Sequence, residues 1–524
     1  MLHKVLCVVV LLVSQGFTVI SDKPCSERQI SGQSVVCVCN ATYCDELTRK
    51  TPGEGTFVSY TSSESGLRFQ KGIGSLSESN ETGNNTGSCG YSLTLDPSTV
   101  FQTIEGFGGA TTDAAGMNWK NLTDATLQQI LIDSYYSKSG LEYSMARVPI
   151  GGTDFSTHPY AYNELPKDDV KLANFSLAYE DFEYKIPMLK AILAAATKPV
   201  HLVATTWSPP AWMKTNDQYT GFSRLKPEYY QTYADYHVKF LEKYTAEGIP
   251  IWGITTTNEP INGVFNLASF NSLGWSPSDM GSWIVNNLGP TIRNSTFKDL
   301  KIITLDDQRV TIPVWFNLMI KKYPEALQYI DGVGVHYYTD KFVPASVLSL
   351  ISNSHPDKFI LATEACEGSA PWQTEKVILG SWTRAKSYIV DIIADLNHNV
   401  IGWIDWNLCL NDQGGPNWVK NYVDSPIIVY PEKNEFIKQP MYYAMGHFSK
   451  FVPRGSRRIK STEKKSLLSS SLDNVAFITQ YNTVVVVVYN GGGQRDICIK
   501  LGKTKATVSL ASKSVVTVEF PIEQ

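Results

Sequence analysis

The chain has 524 residues, of which 43% are hydrophobic and 18% charged, with a formal net charge of -4 at pH 7. This composition belongs to a globular protein and excludes a disordered one; without a domain-scale basic stripe it also excludes nucleic acid as a partner. The length accommodates a barrel of ordinary size and a second domain.

In chain order, residues 1–21 read as a secretory signal, with a polar start at His3 and Lys4, an apolar core over 5–13 and a Ser/Gly-containing stretch over 14–21. That run is too short to span a bilayer, and no later stretch is long and apolar enough, so the mature protein is expected to be soluble or peripheral. Cys25, Cys37, Cys39 and Cys44 crowd together just after the signal. In an oxidising compartment they form a disulfide-stapled region. A 37–39 bridge is sterically poor, which leaves 25–37 with 39–44 ahead of the crossed 25–39 with 37–44. Zinc is disfavoured because no histidine lies near and the spacings are wrong. Cys89, Cys366, Cys409 and Cys498 stand alone and read as buried thiols. Asn40, Asn80, Asn84, Asn121, Asn174 and Asn294 each begin an Asn-x-Ser/Thr sequon, a glycan acceptor on a secreted surface.

Residues 51–100 read as strands with polar loops. Over 101–407, eight short apolar runs (101–104, 141–150, 199–206, 251–257, 300–305, 332–336, 359–363 and 400–406) alternate with helical stretches such as 127–136, 186–196, 229–244 and 374–397. Strand–helix alternation repeated in this way predicts a (β/α)8 TIM barrel of the α/β class. Residues 465–524 return to strand patterns, and the five-valine run 484–488 is expected to be central in its sheet because an exposed edge of that kind invites aggregation. The expected division is a disulfide-rich β region over 22–50 packing with about 408–439. A β-sandwich from 51–100 plus 455–524 joins the chain's two ends, and a catalytic barrel takes 101–407 plus 440–454.

Two segments carry the chemistry. Thr256-Thr257-Asn258-Glu259-Pro260 follows the apolar run 251–254, and Ala362-Thr363-Glu364-Ala365-Cys366 follows 359–361. Each delivers a glutamate to the carboxyl end of a buried strand, where barrel enzymes keep their active sites. Two such carboxylates on one rim are the parts of a glycoside hydrolase. Glu259 would protonate the leaving oxygen and then deprotonate water, Glu364 would be the nucleophile, and Asn258 would bond the sugar 2-hydroxyl. Asp154, Trp207, His336, Tyr338 and Trp406 also end strands, and sugars suit aromatic walls with a few fixed polar groups. Arg147 either holds a catalytic carboxylate or makes a surface salt bridge. The cations Arg454, Arg457, Arg458, Lys460, Lys464 and Lys465 read either as a solvated surface or as a contact to an anionic membrane.

Several longer runs are specific. They include Val35-Val36-Cys37-Val38-Cys39-Asn40-Ala41-Thr42-Tyr43-Cys44-Asp45, Gly106-Phe107-Gly108-Gly109-Ala110, Leu305-Asp306-Asp307-Gln308-Arg309 and Gly414-Gly415-Pro416-Asn417-Trp418, with Asp424-Ser425-Pro426-Ile427-Ile428-Val429 and Gly446-His447-Phe448-Ser449-Lys450-Phe451 beside them. On these runs, over nearly the whole mature length, the chain resembles the acid β-glucosidase branch of glycoside hydrolase family 30. The resemblance implies Glu259 as acid/base, Glu364 as nucleophile and the pairing 25–37 with 39–44. It implies a glucose pocket of Asp154, Trp207, Asn258, His336 and Trp406, with Gln308, Tyr338, Asn421 and Tyr422 at the mouth. It further implies glucosylceramide as substrate, no cofactor and no metal, lysosomal action at acid pH, and help from a saposin-type activator and anionic lipid; a lysosomal receptor is a further candidate partner. The chain departs from the family pattern at Ala268, where a Tyr is usual, and at Ser272, where a Cys is usual, both expected in the mouth. Other readings are hydrolysis of steryl or alkyl β-glucosides, and an inactive sugar-binding relative, which would have lost a carboxylate.

Overall fold

The computed structural model describes residues 22–79, 90–265, 268–466 and 470–522. The signal reading of 1–21, Cys89 and the sequons at Asn80 and Asn84 lie outside them.

Eight parallel strands close a barrel: β1 Gly106–Ala110, β2 Met145–Ile150, β3 His201–Thr206, β4 Gly253–Thr255, β5 Lys301–Gln308, β6 Gly332–His336, β7 Phe359–Glu364 and β8 Val400–Asn407. Their continuous apolar runs reflect burial on both faces. Met145, Val203, Ile303, Leu361 and Ile404 fill one interior layer. Side chains alternate along a strand, so the next inward positions, two residues on, include Arg147, Thr205, Thr363 and Trp406. The barrel thus has an apolar floor and a polar upper storey.

The first barrel strand is not the run 101–104. Residues 101–103 end a long strand, Tyr91–Thr103, that pairs with Arg457–Lys465 in the sandwich, and Phe101 is exposed there beneath the Arg458 guanidinium. The barrel uses Gly106–Ala110 instead. Its glycines permit close approach: a Cβ on Gly108 would lie 2.1 Å from the Met145 carbonyl oxygen. A glycine-rich strand carries almost no hydrophobic signal, which is why the neighbouring run looked stronger.

Ten strands drawn from both chain ends form one further sheet. Ile497, Ile499 and Val508 from one part of it share a core with Val484, Val486, Val488, Val516 and Val518 from another, so the sheet folds over itself as a sandwich. Val485 and Val487 face the other way, into the main core shared with the barrel. The valine run lies inside the sheet, between Asp473–Ile478 and Ser514–Pro521. Arg454 donates to the carbonyls of Glu105, Ser144 and Pro199 at the floor end of the barrel, and Arg458 donates to Gln102. These two cations are therefore committed to the junction between sandwich and barrel.

A third, five-stranded sheet joins the N-terminal strands Glu27–Arg28 and Val36–Asn40 to Glu435–Lys438, Ile427–Tyr430 and Leu410–Asn411. Cys25 bonds Cys37 and Cys39 bonds Cys44. Cys366 and Cys409 are buried thiols, but Cys498 is disulfide-bonded. The nearest cysteine in sequence is Cys409, so no spacing pattern marks Cys498 as bonded. The sequon asparagines Asn40, Asn121, Asn174 and Asn294 are all exposed. Among the described residues, no helix is long and apolar enough to cross a membrane.

Candidate active site

Glu364 is the last residue of β7 and pairs with His336, the last of β6. Glu259 lies beyond the end of β4, where the chain is held by its neighbours: Asn258 N–H donates to the Thr206 carbonyl at 2.9 Å and Glu259 N–H to the Asp306 carbonyl at 2.9 Å. Glu259 has φ +42°, a left-handed conformation that costs an L-residue energy and persists only where surroundings enforce it. The short helix Pro260–Phe265 starts immediately after it.

A second irregularity faces this turn. Leu305 and Asp306 on β5 have φ +70° and +52°, and the register against β6 breaks between Leu305 and Asp307. This bulge turns Asp306 into the barrel. Its Oδ1 accepts from Thr363 at 2.6 Å and from His336 Nε2 at 3.0 Å, and its Oδ2 from Arg147 Nη2 at 2.9 Å.

Arg147 is fully buried and makes no surface bridge. It donates to Glu364 and, at 2.8 Å, to Asn258 Oδ1, and it lies against the faces of Trp207 and Trp406 at 4.8 and 5.4 Å. Burial works against its charge, but Asp306 and Glu364 outweigh burial and keep it cationic. Burial likewise opposes the charged imidazole of His336; Glu364 and Asp306 prevail and push it up to about 10. Asp306 is pushed up by burial, yet Arg147 and His336 together hold it well below the usual carboxylate range. The imidazolium of His336 donates from Nδ1 to Glu259 Oε1 at 3.0 Å. Gln308 donates to the same oxygen at 2.9 Å. Tyr338 donates to Glu364 Oε1 at 2.6 Å. One carboxylate oxygen of Glu259, one of Glu364 and a ring nitrogen of His336 all lie within 4.8 Å of one another.

Above this network opens a cavity of about 530 Å³, a size that suits a small organic ligand. Asp154, Trp207, Asn258, Glu259, Tyr338, Glu364, Trp406 and Asn421 line it. Trp207 and Trp406 stack at 5.2 Å and form its aromatic wall. Asp154 accepts from the amides of Asn417 and Asn421, each at 3.1 Å. Burial pushes Asp154 up to about 7, with the two amides opposing and the charges of Glu364 and Glu259 adding. His336, Gln308 and Arg147 stand behind the lining and act on it through the two glutamates.

His336, expected in the glucose pocket, and three residues expected at the mouth, Gln308, Tyr422 and Ser272, are not part of the cavity wall. Tyr422 is not in the cavity wall; its ring lies against Gly415, where a Cβ would meet it at 2.8 Å. Ala268 does line the cavity, but Ser272 is buried outside it, where its carbonyl accepts from Lys214 at 2.7 Å. Sequence reasoning assigned no role to Asp306, Asn417 or Asn262. The first two sit inside the specific runs Leu305–Arg309 and Gly414–Trp418 as plain residues; only the bulge and the packing of separate loops give them partners. On the rim, Phe265, Val310, Val314, Phe342 and Trp372 are exposed large apolar side chains on the segments that follow β4, β5, β6 and β7. Phe342 and Trp372 pack edge to face at 5.7 Å.

A barrel with two close glutamates at the carboxyl ends of its strands, under an aromatic-walled cavity, is a glycoside hydrolase. Residues 104–452 match the glycosyl hydrolase family 30 TIM-barrel domain, and residues 455–518 match the glycosyl hydrolase family 30 beta sandwich domain. The chain belongs to glycoside hydrolase family 30. It is 42% identical over 474 residues to a lysosomal acid glucosylceramidase of Mus musculus, covering 89% of each chain. It is 43% identical over 444 residues to putative glucosylceramidase 3 of Caenorhabditis elegans, covering 83% of each. Among solved structures, SrfJ from Salmonella typhimurium superposes with a TM-score of 0.80 at 25% identity, over 89% of this chain and 100% of that one.

Proposed function

We propose that this protein is a retaining β-glucosidase that hydrolyses glucosylceramide to glucose and ceramide. The observation that carries the stereochemistry is the closeness of Glu259 and Glu364, whose nearest oxygens lie within 4.8 Å. Inverting enzymes hold their carboxyls roughly 6.5–9.5 Å apart to admit a water, whereas retaining enzymes need about 5–5.5 Å.

Glu364 attacks the anomeric carbon while Glu259 gives its proton to the glycosidic oxygen, so the C1–O bond to ceramide breaks as the C1–Glu364 ester forms. Glu259, now a carboxylate, takes a proton from water as that water attacks C1 and releases Glu364. Arg147 and Tyr338 aim the nucleophile, and His336 and Gln308 aim the acid/base. Asn258 has its carbonyl oxygen taken by Arg147, which leaves its NH2 for the sugar 2-hydroxyl. Trp207 and Trp406 supply the apolar wall and Asp154 a hydroxyl partner.

The lipid aglycone rests on the glucosylceramidases among the relatives and on the exposed apolar rim, which faces what leaves the cavity. By the same reasoning the protein works in the lysosome at the surface of anionic membranes. The test is hydrolysis of glucosylceramide in anionic vesicles at acid pH, followed by NMR of the first glucose released. β-Glucose is expected. First-formed α-glucose overturns the retaining mechanism. Faster hydrolysis of a steryl glucoside, with glucosylceramide untouched, overturns the aglycone.

A further inference from the structure

The acid/base of a retaining glycosidase must give up a proton in one step and take one up in the next. The two oxygens of Glu259 are not equivalent for this task. Oε1 accepts from Gln308 Nε2 at 2.9 Å and from His336 Nδ1 at 3.0 Å. His336 is an imidazolium that donates from both ring nitrogens, so it leaves no acceptor facing Oε1. The transferable proton therefore belongs on Oε2. The protein group bonded to Oε2 is the side-chain amide of Asn262.

Asn262 is well placed to act on that oxygen. It lies on the short helix that begins directly after Glu259, its backbone N–H donates to the Glu259 carbonyl at 3.0 Å, and its half-buried side chain lines the cavity. A carboxamide can present either NH2 or C=O. Its NH2 satisfies a carboxylate and its C=O satisfies a carboxylic acid, so Asn262 can serve both protonation states. The NH2 contact, however, is a charge-assisted hydrogen bond and favours the carboxylate.

We propose that Asn262 is a positioning residue that fixes the proton-bearing oxygen of Glu259 and sets the balance between its acid and base forms. This rests on Glu259 being the acid/base. The other charged or titratable groups facing Glu259 are His336 on β6, Asp307 on β5, Glu364 on β7 and Asp154 after β2. None of these bonds Oε2.

The test is the pH profile of kcat/KM on an aryl β-glucoside for the full-length wild type and for Asn262→Leu and Asn262→Ala. The basic limb reports the free enzyme's essential acid. Loss of an N–H that favours the carboxylate is expected to move that limb upward by about one pH unit. Asn262→Asp, which puts a like charge at the same place, is expected to move it further. With a good leaving group, where the base step limits, kcat is expected to fall several-fold while KM changes little. A basic limb that stays in place in both the Leu and Ala variants overturns the proposal, as does a uniform loss of kcat at every pH, which a merely structural role would give. Failure of the underlying reading looks different: Glu259→Gln would then keep the wild-type basic limb and lose equal activity on good and poor leaving groups.

Discussion

Two buried arginines, each ringed by carboxylates, behave in opposite ways. Arg147 shares its surroundings with a second cation, His336, and between them they face Asp306, Glu364 and Glu259. Arg309 stands alone against three aspartates, with Asp340 and Asp395 at 3.0 Å and Asp391 at 3.8 Å. In the first group the charges nearly balance, and Asp306 is held well below the usual range. In the second, burial outweighs the single guanidinium and pushes all three aspartates up, with the charge of Asp391 adding to the rise at Asp340 and Asp395. Burial alone therefore does not decide whether a carboxylate is ionised; the local ratio of cations to anions does. The first group stands directly behind the cavity that Glu259 and Glu364 line. The second ties the segments after β5 and β6 to the helix Trp382–Asn397, and it shares protons.

The largest effect that sharpens this contrast is catalytic. Glu364→Gln is expected to lower kcat by more than about a thousandfold, with little change in the melting midpoint, since Arg147 keeps Asp306 as a partner. Retained turnover in a folded sample would remove the nucleophile from the account.

Next in size is a pair of neutral substitutions with opposite signs. Asp306→Asn takes an anion from the balanced group, leaves Arg147 and His336 undercompensated and is expected to cost about 3 kcal/mol at neutral pH. Asp391→Asn takes an anion from the crowded group and is expected to stabilise the fold at neutral pH by about 1 kcal/mol. Guanidinium melts measure both, and equal signs would break the comparison.

A smaller effect is the pH dependence of stability. Asp154 and Asp405 are pushed by burial to about 7 and about 8, above the unfolded value of about 3.9. The folded protein thus binds more protons than the unfolded chain in this window. Its stability from these groups is full below about pH 4 and is lost as pH rises through 7 and 8. Asp306 has the opposite sign: its contribution is present above about pH 4 and is lost as pH falls through its depressed folded value. Melting midpoints that rise steadily from acid to mildly basic pH would contradict this.

The smallest effect lies on the rim. Phe342→Ala is expected to lower kcat/KM on glucosylceramide vesicles several-fold and to leave an aryl glucoside unaffected, because Phe342 lies outside the cavity wall. Trp372 lines the cavity, so Trp372→Ala is expected to separate the two substrates less sharply. Equal losses on both substrates from Phe342→Ala would place that ring in the glucose pocket.

What the sequence disclosed divides along the same physical lines. Seven of the eight barrel strands were legible, because burial on both faces writes a continuous apolar run into the chain. β1 was not, because its backbone packing demands glycine and leaves no apolar signature. Glu259 and Glu364 stood out through their place at strand ends. Asp306 did not, since a bulge of two left-handed residues, not an alternation pattern, turns it inward. Arg147 was visible as a candidate, but its choice between surface and core depended on partners brought from β4, β5 and β7. Tyr422 and Ser272 were misplaced for the complementary reason: proximity in sequence to mouth residues says little about which way a loop side chain turns.

The most direct test of the central claim is covalent capture. The purified protein is incubated at acid pH with a cyclitol epoxide that esterifies the nucleophile of retaining β-glucosidases, and the labelled peptide is mapped by mass spectrometry. A single label on Glu364, lost in Glu364→Gln, is the predicted result. A folded sample that takes no label, or takes it on another carboxylate, would contradict retaining β-glucosidase chemistry at this site.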